Sequence, residues 1–439
     1  MTITVAGRPC TSASVDTRTL EPGAVFVALR GPNHDGHDYV AAAFGKGAAA
    51  AVVERPVEGC GPLEIVPSAL GWLQNTAAEA RRRWDGLVVG ITGSAGKTTA
   101  KEAVAAVLSA CLRTGKTQGN YNNHIGVPLT ILNLPDEAEA AVVEIGMNHA
   151  GEIRELAKIA GPRIGVVTNV GTAHIENLGS IEAIAAAKRE LVEALPPDGV
   201  AVLSADDARV RAMAGAFSGR TVFYGSSSFV PSEAPHVRAS NVVWLSDGVQ
   251  FEVPDVGSFF CPLAGRGGLM AALAALAVAR ALGLDPGQWK ETIARLKTVP
   301  MRLERIEHNG AVVWNDCYNS NPEAAMMMLD LLAETPAARR IAVLGEMLEL
   351  GGWSEPLHRE VGRHAAARGV DLLVGVRGDA REMLAGAVEA GLAPQKTAYF
   401  DDPAEAGAFV KEFAREGDAL LFKGSRGVRM ERALEAFLG

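Results

Sequence analysis

Leu87-Val88-Val89-Gly90-Ile91-Thr92-Gly93-Ser94-Ala95-Gly96-Lys97-Thr98 is the stretch on which the fold turns. Its first half is a short apolar run closed by glycine, the pattern of a strand buried on both faces. From Gly90 to Thr98 it fits GxxxxGK[ST] in full. The residues predict a strand over 87–92, a glycine-rich turn, and a helix from Thr98 to about Cys111. The glycines of such a turn let backbone N–H groups point inward around phosphate oxygens. The helix N-terminus adds partial positive charge. Gly93, Ser94, Ala95, Gly96, Lys97, Thr98 and Thr99 are therefore candidates to hold ATP. Lys97 is placed to reach the β- and γ-phosphates and Thr98 to hold Mg²⁺ through its hydroxyl. A chance glycine turn is the alternative, and the strand before and helix after it argue against that.

Outward from this loop the chain alternates. Strand candidates at 141–145, 164–169 and 199–204 are separated by helical stretches. That order predicts a parallel sheet with helices on both faces, over residues 85–298. The pattern breaks near Thr298-Val299-Pro300 and restarts, with strand candidates at 311–314, 340–344, 371–376 and 418–422. This predicts a Rossmann-like α/β domain over 299–439. Before the loop, strand candidates at 23–29 and 48–54 flank a short helical stretch at 39–44. Residues 1–84 read as a small α/β domain.

A chain of 439 residues has length for about three domains. Its net charge of −9 gives no overall pull towards nucleic acid or anionic lipid, so an anion site has to be local. Cys10, Cys60, Cys111, Cys261 and Cys317 are scattered and odd in number, which fits a reducing compartment and neither a disulfide framework nor a thiolate zinc site. No basic segment followed by an apolar run opens the chain, so no signal peptide is expected. The longest apolar run, Met270 to Ala279, is too short to span a bilayer and reads as a buried helix. The expectation is a cytoplasmic monomer without nucleic-acid partner or membrane insertion.

Two further residues carry chemistry. Glu144 stands near the C-terminal end of an apolar strand, where open α/β sheets bind ligands and where a carboxylate can meet the metal of Mg-ATP. A Glu turned to solvent is the competing reading. Lys188 lies on the apolar stripe of a helix over 180–195, in register with Ile181, Ile184 and Leu191. An inward lysine needs a partner or a task, unless it snorkels at the edge of the stripe. His174 sits in a loop before that helix.

These residues converge on a family. The chain resembles the Mur ligases, which build the peptidoglycan precursor. The resemblance spans nearly the whole chain. It rests on Asp16-Thr17-Arg18, Asp35-Gly36-His37, Gly93 to Thr99, and Asn120 to Pro128 with its Asn122-Asn123-His124 core. It continues through Glu144 to His149, Ala173 to Glu176, and Ala187-Lys188. In the last third it includes Asp316 to Pro322, Leu344 to Gly351, and Lys423 to Arg426. Within the family the chain is most similar to the member that joins D-alanyl-D-alanine to UDP-N-acetylmuramoyl-tripeptide.

The resemblance implies an ATP-dependent amide ligase working through an acyl phosphate. Thr17, Arg18, Asp35 and His37 would contact the UDP end of the substrate, although Asp-Gly is also ordinary turn chemistry. Thr98 and Glu144 would hold one Mg²⁺, and His174 and Lys188 a second, with Lys188 carbamylated by CO₂. Asn122, Asn123 and His124 would line the peptide channel. Arg302, Asp316, Tyr318, Asn319 and Asn321 would face the nucleotide on closure, with a structural turn as the alternative for the two asparagines. Lys97, His174, Lys188 and Arg302 would be the catalytic set.

The chain departs from the family pattern at three places, one of them a whole stretch. Gly265-Arg266-Gly267-Gly268-Leu269-Met270-Ala271 stands where the family has a Gly-Arg-His-Asn motif and a further Asn near the adenosine. Met301 replaces an expected Gly, and Arg189 follows Lys188 in place of Gly. A non-catalytic Mg-ATP-binding switch is the alternative that this stretch leaves open.

Overall fold

The computed structural model describes residues 3–226, 236–284 and 286–439. At its centre is a seven-stranded sheet in the order 236–238, 220–225, 200–204, 164–167, 87–92, 140–144, 114–116. Every pair in it is parallel. The strand expected at 87–92 is Leu87–Thr92, and its alternate side chains go to opposite faces. Val88 joins a core with Ile153 and Leu156 of helix Glu152–Ala160 and with Ile184 and Leu191 of helix Ile181–Glu193. Val89 and Ile91 join another, with Val104 and Leu108 of helix Lys97–Ser109 and Leu269 and Leu273 of helix Gly265–Ala281. Helices thus cover both faces. The apolar run 270–279 is the buried heart of the last of these helices. No helix among the described residues is long and apolar enough to cross a membrane.

The N-terminal part has four short parallel strands, at 13–14, 25–27, 50–53 and 63–65, beside a hairpin of 3–5 with 8–10. Asn133 fastens it to the central part by exchanging hydrogen bonds with Ala13, accepting at 2.8 Å and donating at 2.9 Å. In the C-terminal part a six-stranded sheet runs 304–308, 311–316, 419–423, 340–345, 372–376, 397–400. Its first pair is antiparallel and the rest are parallel. The antiparallel edge was not expected from the sequence. It arises from Asn309-Gly310, both at positive φ (49° and 75°), which turn the chain in two residues. A three-stranded antiparallel sheet at 240–245, 248–253 and 257–261 was also not expected.

Candidate functional site

The phosphate loop lies at the C-terminal end of strand Leu87–Thr92 and is laced to the loop after the neighbouring strand. Ala95 N–H donates to Asn169 Oδ1 at 2.8 Å, and Asn169 Nδ2 and Thr168 Oγ1 donate back to Ala95 O at 3.1 and 2.7 Å. Ser94 Oγ accepts from Gly171 N at 2.8 Å. A Cβ at Gly93 would lie 1.8 Å from Thr168 Oγ1, so the turn closes only with glycine there. Helix Lys97–Ser109 begins at Gly96 with no side-chain cap, which leaves its first N–H groups for an anion. Lys97 Nζ donates to Gly93 O at 2.7 Å. Burial pulls its ammonium down from the ordinary value; Glu144 and Glu349 push the other way, while Arg302 adds to the fall.

Glu144 faces inward, 2% exposed. Thr98 Oγ1 donates to one of its oxygens at 2.9 Å and Asn122 Nδ2 to the other at 2.8 Å. Hydroxyl and carboxylate together make a donor set suited to a hard divalent cation. Asn122, expected in a peptide channel, has its amide committed to Glu144. Asn123 Oδ1 accepts from Ile125 N and Gly126 N at 3.1 and 2.9 Å, shaping the start of helix Gly126–Leu132. His124 is exposed, and its carbonyl takes Gln74 Nε2 at 3.1 Å.

Lys188 is on helix Ile181–Glu193, which Ser180 caps through Ala183 N at 3.1 Å. It is 1% exposed and makes no hydrogen bond or ion pair among the described residues. Burial, and then the charge of Lys97, hold its amine well below the usual lysine range. His174, in the left-handed region at φ 65°, begins the short helix Ile175–Leu178. Its Nδ1 is 2.6 Å from Glu349 Oε2 of the C-terminal part. That contact holds the Glu349 carboxyl below its ordinary value.

The C-terminal part reaches this edge at several points. Asn321 caps helix Pro322–Glu334 through Ala324 N at 2.9 Å, and its amide donates to Ser94 O of the phosphate loop at 3.2 Å. Glu323 accepts from Thr172 N at 2.6 Å. The Arg302 guanidinium stacks 4.1 Å over the Tyr318 ring. Asp316 accepts from the buried Lys423 at 2.5 Å and from Leu303 N at 3.0 Å, while Asn319 is exposed. Met301 sits at φ 59°, where glycine is at ease, and its side chain packs on the C-terminal core in compensation.

A cavity of about 560 Å³ opens beside Ala95 and Gly96. Asn169, Tyr224, Arg266, Gly267, Met270 and Met327 line it, so the stretch that departs from the family pattern forms one wall. Arg266 is held by Asp206 at 2.8 Å.

The N-terminal candidates divide into outward and inward groups. Arg18 is exposed and held by Asp16, whose carboxyl it keeps below its ordinary value. Thr17 is half-buried beside it. His37 is buried: its Nδ1 donates to Asp35 at 2.6 Å and its Nε2 accepts from Glu54 N at 2.9 Å. Bonds from the His37 backbone and ring hold Asp35 well below the carboxylate range. The imidazole therefore shapes the turn, while Arg30 and Arg55 bring exposed positive charge to Asp35.

Three family models match the chain in order. "Mur ligase family, catalytic domain" covers residues 10–83, "Mur ligase middle domain" covers 91–279, and "Mur ligase, glutamate ligase domain" covers 301–426. A UDP-N-acetylmuramoyl-tripeptide–D-alanyl-D-alanine ligase of Synechocystis is 39% identical, over 96% of this chain and 91% of the relative. One from Bacillus subtilis is 34% identical, over 96% and 92%. Among solved structures, MurF from Acinetobacter baumannii matches with a TM-score of 0.88 at 30% identity, covering 98% of this chain and 94% of that one. MurF from Thermotoga maritima in complex with ADP matches with a TM-score of 0.83 at 31% identity, over 97% and 96%.

Proposed function

The chain belongs to the Mur ligase family, and from that membership we propose that it joins D-alanyl-D-alanine to UDP-N-acetylmuramoyl-tripeptide, with ATP as the energy source, in peptidoglycan precursor synthesis. The observation that carries this reading is similarity over nine-tenths of both chains to enzymes named for that ligation. The non-catalytic switch is not favoured, because the altered stretch at 265–271 removes no phosphate- or metal-facing group.

Division at 1–84, 85–298 and 299–439 assigns the UDP end of the substrate to the first domain, with Thr17 and Arg18 facing outward and Asp35 beside two arginines. ATP phosphates occupy the loop from Gly93 to Thr99, and the base occupies the cavity walled by Gly267 and Met270. Thr98 and Glu144 would hold Mg²⁺, and Lys188, as its carbamate, would with His174 hold a second ion. Burial of an unpartnered amine favours its neutral form over the ammonium, the neutral amine is the form that reacts with CO₂, and the resulting carbamate is an oxygen ligand. Magnesium, when bound, neutralises the charge of the phosphoryl group in transfer.

The terminal carboxylate of the tripeptide attacks the γ-phosphorus, giving an acyl phosphate and ADP. The amine of D-alanyl-D-alanine then displaces phosphate and the amide forms. Lys97, already under the loop, and Arg302 meet the charge that grows on the phosphoryl oxygens. Asn319 and Tyr318 line the face that closes on the nucleotide, with Asp316 fixed behind them. Asn321 on Ser94 and Glu323 on Thr172 hold that face down and keep water from the acyl phosphate.

The test is mass spectrometry of the reaction with both substrates, the tripeptide carboxylate being labelled with oxygen-18. The reading expects the amide product and one labelled oxygen in the released phosphate. Product without label would remove the acyl phosphate, and no product at all would overturn the reading.

A further inference from the structure

The first turn of helix Pro322–Glu334 leaves a charge unaccounted for. One oxygen of Glu323 accepts from Thr172 N at 2.6 Å. The carboxylate is pressed against Gly171 so closely that a Cβ there would lie 2.4 Å from Glu323 Cδ. The other oxygen, Oε2, is buried without a hydrogen-bond partner, and so is the hydroxyl of Thr172. Buried acceptors of this kind are rare unless something absent from the polypeptide satisfies them. Lys188 senses the charge of Glu323 without forming an ion pair with it. His174 is two residues beyond Thr172. A carbamate on Lys188 would add a second anionic group to the region that the charge of Glu323 already reaches, and a cation between two such groups relieves their repulsion.

We infer that Glu323 Oε2 and Thr172 Oγ1 are further oxygen ligands of the divalent cation held by carbamylated Lys188, so that the C-terminal domain completes this metal site as it closes. The inference rests on the carbamate reading of Lys188 given above. It makes metal affinity and domain closure one equilibrium: the cation binds fully only when helix Pro322–Glu334 is docked, and docking is favoured when the cation is present. It also accounts for Gly171, since any side chain there would push the carboxylate out of place.

Mn²⁺ is the probe, titrated into the full-length protein with a non-hydrolysable ATP analogue and bicarbonate, and followed by electron paramagnetic resonance. Wild type should bind two ions. Lys188→Ala should lose the weaker one. Glu323→Gln keeps the acceptor for Thr172 N, and should weaken the second ion about tenfold or more while the first binds as in wild type. Glu323→Ala should weaken it at least as much. Two ions bound by Glu323→Gln with wild-type affinity, while Lys188→Ala loses one, would overturn the assignment of Glu323 alone. Two ions in Lys188→Ala would overturn the carbamate reading and this inference with it. Loss of both ions in Glu323→Gln would reduce Glu323 to a structural clasp and also overturn it.

Discussion

Lys97 and Lys188 show what burial does to one residue type in two settings. Burial lowers the pKa of Lys97, and Glu144 and Glu349 offset part of that desolvation. Lys188 has only Glu323 on its side and Lys97 against it, so its amine falls further. Lys97→Ala should therefore lower kcat by about a hundredfold or more, the size of effect seen when a charge-stabilising donor is removed, as read by steady-state phosphate release. His358 offers a test at pH values away from the chemistry. It is fully buried, accepts from Met347 N at 2.9 Å, and holds the loop that carries Glu349. Burial lowers its pKa from an ordinary value near 6.5. As pH falls through that ordinary value the unfolded chain takes up a proton that the folded chain refuses, so stability drops with pH. Tm measured from about pH 7.5 to about pH 5.5 should fall less steeply in His358→Gln than in wild type.

The elements proposed to bind phosphate are set by local sequence, and those that surround them are not. Strand Leu87–Thr92, its glycine turn and helix Lys97–Ser109 were legible because strand, turn and helix signals follow one another without a gap. Gly93→Ala should cost nucleotide binding about 1–3 kcal/mol through overpacking against Thr168, measurable by calorimetric titration of ATP. Asn321→Ala should destabilise the C-terminal domain by about 1 kcal/mol through the lost helix cap and raise KM for ATP through the lost contact with Ser94, which thermal unfolding and kinetics separate. Glu144 and Lys188 were legible as candidates, from a carboxylate at a strand end and a lysine on an apolar stripe. Asn169, Thr168 and Glu323 were not: Glu323 meets Thr172 across 151 residues of chain, and only the docking of two domains brings them together. Asn122 was expected in a peptide channel, and its amide serves Glu144, a pairing that no spacing announces. The Asn309-Gly310 hairpin was a local signal that the alternating pattern around it obscured.

At the scale of the molecule, the three-domain Mur ligase architecture follows from the strand–helix alternation and its restart after Pro300. The relation between the domains comes from tertiary contacts. Asn133 ties the first part to the second, and Asn321, Glu323 and Glu349 tie the third to the phosphate loop and the turn at 172–174. On the proposed reading two substrates and ATP would share one crevice, and phosphoryl transfer would be useful only when the amine is at hand to take the acyl group. The most direct measurement is phosphate release from ATP with UDP-N-acetylmuramoyl-tripeptide, D-alanyl-D-alanine, both or neither, beside Lys97→Ala. The account predicts sustained release only with both substrates, and release slower by about a hundredfold or more in Lys97→Ala. Tight ATP binding with no stimulation by either substrate would contradict it.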